Sequence, residues 1–373
     1  MSNLVRIAPG ALVVGKPLPW TVYDVEGNVL LRQGYVIQND MQLEQLFDRG
    51  LFHPRKIERG QEEILEDNRQ RNPFADYPVL LQTLETTLNA ITSGEESALK
   101  RLMGLTRLIE RICDEAPDAS LALVHLYSIE PTIHEQILFY GILSHFTAQS
   151  FGLDRNRTSL LTSAALVANL ALVPVADQLN ASRKILSDDQ RAVIRKHPQR
   201  SISALRAAGI DNQALFDVIA QHHEQADGSG YPKGLSGTEI RPEAEILALV
   251  ERYVAMITKR AYRERMNITD ARKLVASLTD GQLRPAIPRA LLAVLTEHPP
   301  GTLVRLANNE VGVVTQRPDR HLGPFVNAIL GPRGNRYSGT FERDCSLLEF
   351  NIRAVEQPEV MPSMDFSLLW GFH

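Results

Sequence analysis

The sequence predicts a mainly α protein, with an all-helical domain flanked by small β-rich N- and C-terminal modules. Three observations predict it. Between Pro78 and Leu295, stretches such as VLLQTLETTLNAI, ALKRLMGLTRLIERI and QILFYGILSHFTAQSF repeat apolar residues every three or four positions, the period that lays an apolar stripe along a helix. Upstream, Pro and Gly punctuate short β-type runs, and LPWTVYDVEGNVLLRQGYVI reads as a strand, a turn at Glu26-Gly27 and a second strand. After Pro300, GTLVRLANNEVGVVTQRPDRHLGPFVNAILGPRGNRYSGT alternates β-branched runs with Asn, Gly and Pro turns, as in a small sheet or barrel. The tail of the first module, MQLEQLFDRGLF, has helical spacing with Gly50 as its stop, and the charged segment from Arg55 to Pro73 suits an exposed linker. The predicted units are a β-rich module over 1–70, a helical domain over 75–298 and a β-rich module over 299–373.

At 373 residues the chain is long enough for more than one core, and 44% hydrophobic with 23% charged residues is the balance of an ordinary globular protein. A net charge of −4 provides no global field to hold a polyanion, which argues against nucleic acid as the main partner. A small nucleotide needs only local Arg or Lys. Cys113 and Cys345 form no CxxC pair, which points to a reducing compartment and away from structural zinc. MSNLVRIAPG lacks the apolar core of a signal peptide, so a cytoplasmic location is expected. The most apolar stretch, Ala164 to Ala176, is short for a bilayer and interrupted by Asn169 and Pro174, so no membrane span is expected.

The most informative string is His222-His223-Glu224-Gln225-Ala226-Asp227-Gly228-Ser229-Gly230-Tyr231-Pro232-Lys233-Gly234-Leu235. Adjacent histidines at a helix end project about 100° apart and can hold neighbouring metal ions, while the glycines let the backbone turn tightly beside them. Alone, DGSGYP would be an ordinary surface turn. With two histidines and an acid at these offsets, the string resembles the HHE-x2-DG-x-GYP-x-GL signature of the HD-GYP family.

That resemblance covers roughly residues 120 to 298 and implies a helical domain that hydrolyses cyclic di-GMP, with two or three iron or similar transition ions, in a bacterial signalling protein. On matching positions it implies metal ligands at Glu130 and His134, one helical turn apart in SIEPTIHEQILFYG, and at His197, His222 and His223. A further ligand falls at Glu251, where the family has Asp. It implies nucleotide contacts at Gly230 and Tyr231, and at Arg260 and Arg263 in TKRAYR, three apart so as to share a helix face and clamp phosphate.

The pattern breaks at its centre. Where the family has a run like AALLHDIGK, this chain has AALVANLAL, so that Ala168 replaces the His, Asn169 the Asp and Leu172 the Lys. Alanine has no donor atom, a neutral amide bridges cations poorly, and leucine cannot contact phosphate. A two-metal mechanism needs that bridge to hold ions about 3.5–4 Å apart. No catalytic residue is therefore assigned. His197, His222 and His223 remain as a set for one divalent transition ion, iron or manganese, with Glu130, His134 or Glu251 nearby; alternatively, they persist as hydrogen-bonded residues of a vestigial pocket.

Two functions from different classes follow. One is a cyclic di-GMP signalling protein that binds the nucleotide or a protein partner with weak or no hydrolysis. The other is an active metal-dependent phosphodiesterase giving pGpG or GMP from an unconventional site. The resemblance also implies that the turn can dock GGDEF-type signalling proteins, with Pro232 fixing φ and Tyr231 offering an apolar face.

Overall fold

The computed structural model describes residues 71–176, 187–260, 263–278, 283–319 and 322–359, with shorter stretches of 4–54 and 361–372. The chain divides into two compact units, residues 1–69 with 358–373 and residues 70–357. The stretch read from sequence as one C-terminal module is therefore shared out: its sheet stays with the helices and its last residues group with the N-terminal unit.

In the first unit β1 (Leu4–Arg6), β2 (Val22–Tyr23), β3 (Val29–Leu31) and β4 (Phe52–Pro54) form an antiparallel sheet in the order β1-β4-β2-β3. Val22 pairs with Leu31 across the expected hairpin. Its turn is closed by Asp24, whose Oδ1 accepts from the backbone N–H of Glu26 at 3.0 Å and of Asn28 at 2.8 Å. Leu12, Leu18, Val22, Ile37 and Leu43 make its core. Gly50 and residues 55–70 of the expected linker lie outside the described residues.

The second unit begins with α1 (Pro73–Thr92), α2 (Ala98–Glu115), α3 (Pro117–Leu126), α4 (Ile133–Phe151) and α5 (Arg155–Val167), followed by a 3-10 turn, Leu170–Val175. It continues with α6 (Asp188–Ala207), α7 (Gln213–Gln221), α8 (Pro242–Ile257), α9 (Ile268–Ser277) and α10 (Ala286–Leu295). Polar caps set the starts: Asn72, Asp154, Asn212 and Asn267 each accept from a backbone N–H of the first turn, and Thr132 and Ser187 build capping boxes with Glu135 and Gln190.

The spacing of QILFYGILSHFTAQSF suggested one apolar stripe, but α4 is buried at every residue from Glu135 to Ala148. Its apolar residues lie on every side, and α1, α2, α3, α5, α8 and α10 pack about it, so no face of this span is left for solvent. Gly141 lets α5 approach, since a Cβ there would lie 3.0 Å from Leu166 Cδ2. Arg155–Val175 is long and apolar enough to cross a bilayer by length and composition, yet the α-helix ends at Val167 and more than half of the apolar window is buried in the unit.

β5 (Leu303–Leu306), β6 (Val311–Gln316), β7 (Phe325–Leu330), β8 (Arg336–Asp344) and β9 (Ile352–Val355) form an antiparallel sheet in the order β8-β7-β6-β5-β9. It docks on α3 at Gly301, whose φ is +88° and where a Cβ would sit 2.7 Å from the Ala122 carbonyl oxygen. Beside it the buried His125 donates through Nδ1 to the Pro300 carbonyl at 2.9 Å and accepts at Nε2 from the Tyr253 hydroxyl at 3.0 Å. This joins the sheet to α3 and α8.

Glu310 locks the other side of the sheet. It accepts from the Tyr337 hydroxyl at 2.6 Å and from Arg343 Nε and Nη2 at 2.8 and 2.9 Å, and the Arg343 hydrogen bonds are the main reason its carboxyl is held down at about 2. A carboxyl depressed in the folded state contributes stability above its unfolded value near 4.5, and that contribution is lost as pH falls toward 2. Glu310→Gln is expected to cost roughly 2 kcal/mol at neutral pH and to flatten this part of the acid limb, as measured by urea unfolding at a series of pH values. An unchanged acid limb would refute the assignment.

Candidate metal centre

Elements distant in sequence converge on one buried place. α6 carries His197, α8 carries Glu251, Asn169 follows the end of α5, and His222 and His223 follow the end of α7. Because α7 stops at Gln221, His222 is its cap, with φ −67° and ψ −6°. The two adjacent rings therefore do not diverge as on a continuing helix. Their centroids lie 4.1 Å apart, and His197 stands 5.3 and 5.0 Å from His222 and His223. One ring nitrogen from each histidine falls within 4.8 Å of the others. The three rings share a single point of convergence, as a set for one ion requires.

The hydrogen bonds decide which nitrogens face that point. His197 Nδ1 lies 2.6 Å from the Ile194 carbonyl and His222 Nδ1 lies 2.6 Å from the Ile219 carbonyl. A carbonyl oxygen can only accept, so both Nδ1 atoms carry the proton and both Nε2 atoms carry a lone pair. Those two Nε2 atoms face each other at 3.3 Å. Protonating one would convert the contact into a hydrogen bond, but burial lowers the pKa of His197 to about 3 and of His222 to about 4, and His223 is lowered well below the ordinary value by the same cause. Opposed lone pairs held together in neutral rings are the arrangement a cation resolves. Three imidazoles suit a borderline transition ion such as iron or zinc.

Glu251 stands at the edge of this cluster. Its Oε2 is 3.9 Å from His222 Nε2, and its Oε1 accepts from the Asn169 amide at 2.5 Å. Burial pushes the carboxyl up to about 7, and the Asn169 hydrogen bond acts in the opposite direction. Ala168, fully buried, offers only a methyl, and the half-buried Leu172 donates its backbone N–H to the Asn169 carbonyl at 2.9 Å.

The other expected site residues are placed as follows. Glu130 does not share a helix face with His134, because Pro131 and the Thr132 capping box start α4 at Ile133; Glu130 lies on the surface, 3.5 Å from Lys259. Among the described residues the converging set is His197, His222 and His223, without Glu130 or His134. Arg260 and Arg263 do not share a helix face either. α8 ends at Ile257, Thr258 is extended with φ −100° and ψ 134°, and the two arginines pair backbone to backbone. Arg260 Nη2 donates to Gln136 Oε1 at 3.0 Å, while Arg263 donates to the Ala255 carbonyl. Ala261 and Tyr262 between them lie outside the described residues.

Gly230 admits no side chain: a Cβ would lie 2.4 Å from Gln225 N and 2.4 Å from Glu224 Cα. Tyr231 turns inward, its ring stacked on His223 with centroids 4.8 Å apart and planes at 21°. Its hydroxyl is pushed above the ordinary range, chiefly by burial and then by Glu251. Sequence reading assigned no role to Glu224, buried at 2% exposure, whose carboxylate accepts from the backbone N–H of Lys233 at 2.7 Å and Leu235 at 2.9 Å and so holds the turn. Its place in the HHE string was the available signal. Gln136, the partner of Arg260, carried no local signal, since the two lie 124 residues apart.

Residues 128–281 match the HD domain family. Proteins named cyclic di-GMP phosphodiesterases are similar to part of the chain. One from Pseudomonas aeruginosa is 28% identical over 58% of this chain and 52% of its own length, and one from Borreliella burgdorferi is 22% identical over 51% and 50%. The helical domain carries an HD domain and is similar to the HD-GYP type. A solved HDGYP protein from Bdellovibrio bacteriovorus superposes with a TM-score of 0.58 over 79% of this chain and 99% of that one, at 19% identity, which shows a shared fold. The chain spans about half the length of these two curated relatives. In this domain the positions that name the HD pair are a buried methyl at Ala168 and an amide at Asn169 already hydrogen-bonded to Glu251.

Proposed function

We propose that this HD-GYP-like domain is a cyclic di-GMP signalling module that holds one divalent transition ion, binds the nucleotide, and hydrolyses it weakly or not at all. The observation that supports this reading most is the Asn169 to Glu251 hydrogen bond at 2.5 Å. Where two ions would share an anionic bridge, a neutral amide donates a hydrogen bond to the Glu251 carboxyl, and Ala168 supplies no donor. His197, His222 and His223 would hold a single ion, with Glu251 beside them. Such an ion supplies Lewis-acid contact to a phosphate oxygen. Arg260, tethered to Gln136, and Arg263 add positive charge for the nucleotide phosphates. Pro232, Lys233 and Gly234 are exposed and would meet a GGDEF-type partner in preference to the inward Tyr231.

A second reading, an active phosphodiesterase giving pGpG or GMP from an unconventional site, is favoured by the complete three-histidine set. Metal content by mass spectrometry, after purification with added iron or manganese, is to be paired with calorimetric titration of cyclic di-GMP and chromatography of the products. One ion per chain, saturable nucleotide binding and no linear product are expected. Two ions per chain with ion-dependent hydrolysis would overturn the first reading and establish the second.

A further inference from the structure

The turn that carries Tyr231 is tied to the cluster by more than sequence proximity. The Tyr231 backbone N–H donates to the His223 carbonyl at 3.1 Å, folding the turn back on the residue that precedes Glu224. The ring then lies nearly parallel to the His223 imidazole, at 4.8 Å and 21°. Arg195, on α6 two positions before His197, places its guanidinium carbon 5.1 Å from the centroid of the same ring. Gly230 and Glu224 leave the turn little room to move, the first because a Cβ would meet backbone at 2.4 Å, the second through its two backbone hydrogen bonds.

His223 differs from its two companions in one respect that matters here. His197 and His222 are each oriented by an Nδ1 hydrogen bond to a carbonyl of their own helix. The contacts that orient His223 are those of its ring with Tyr231 and with the two other histidines. An imidazole that rotates freely about its side-chain bonds makes a poor ligand, and partners that fix its plane raise affinity.

We propose that Tyr231, braced by Arg195, is a positioning residue that sets the plane of the His223 ring and so completes the three-histidine metal site. The aromatic face performs this role and the hydroxyl does not, since the stack is a ring contact. The inference rests on the metal-binding reading above, and gives the Tyr-Pro turn a task inside the site in place of the outward contact expected of Tyr231 from sequence.

Cobalt(II) serves as the probe, titrated into metal-free full-length protein and followed by its visible absorption, whose bands report ligand geometry. Side-chain NMR of His223 in the metal-free protein reports the stack independently of any ion. Tyr231→Ala is expected to weaken cobalt affinity about 10- to 100-fold with altered bands, and Arg195→Ala about threefold, while Tyr231→Phe keeps both affinity and bands. The metal-free His223 resonances should move in Tyr231→Ala and stay in Tyr231→Phe. If the wild type takes cobalt, His222→Ala does not, and Tyr231→Ala matches the wild type in affinity and bands, the positioning role is overturned while the metal site stands. A hydroxyl role would instead show as loss in Tyr231→Phe, which also overturns the proposal. If the wild type takes no cobalt although the His223 resonances respond as expected, the stack is real, but the metal reading fails and the positioning role falls with it.

Discussion

His222→Ala is expected to abolish stoichiometric binding of a divalent transition ion, lowering affinity at least about 100-fold, or roughly 2.7 kcal/mol. His222 is fully buried, its Nδ1 is committed to the Ile219 carbonyl, and its Nε2 faces that of His197 at 3.3 Å, so its loss removes one of the three converging donors. The check is thermal unfolding with and without manganese. An ion held only by the folded state at 100 times its Kd stabilises by about 2.7 kcal/mol, and this increment should vanish in the variant. The variant also loses a buried ring, so its metal-free stability should fall as well; the diagnostic quantity is the manganese-dependent increment, measured for each protein against itself. An equal increment in wild type and variant would show that the ion sits elsewhere.

Gly230→Ala is expected to disrupt the turn from His222 to Ile240 while leaving the helical core folded. The added Cβ would stand 2.4 Å from Gln225 N, 2.4 Å from Glu224 Cα and 2.6 Å from Glu224 C, all backbone atoms with no flexible end to yield. Relief requires moving Glu224, whose buried carboxylate holds the N–H groups of Lys233 and Leu235. Overpacking together with two strained charge-assisted hydrogen bonds should cost about 3 kcal/mol or more. Hydrogen exchange resolved by peptide is the measurement. Protection should fall across residues 222–240, while α4, buried from Glu135 to Ala148, keeps its own. Full protection of the turn in the variant would mean that it can accommodate a side chain, and the packing argument would fail.

Both expectations draw on a motif that was legible in the chain, but the legible part and the decisive part differ. The HHE string with its Gly-Tyr-Pro turn marks the site because turns and helix ends are governed by residues within a few positions of one another. The same locality made the hairpin around Glu26 and the helical domain readable. Its limits show at Glu130 and at Arg263, where i, i+4 and i, i+3 spacing was read as a shared helix face. Pro131 and Thr132 start α4 after Glu130, and the extended Thr258 ends α8 before Arg260.

What the chain determined by itself was the fold class, the position of the signature turn, and the absence of a donor at Ala168 and of a charge at Asn169, since these follow from side-chain chemistry and short-range geometry. What only the tertiary structure decided was where that chemistry points. Asn169 meets Glu251 across 82 residues, His197 meets His222 across 25, and His125 meets the Pro300 carbonyl across 175. The physical reason is that a lone pair acquires a function from whatever faces it. The partners of these groups are brought by helix packing around the buried α4, and no single residue encodes which polar groups will meet.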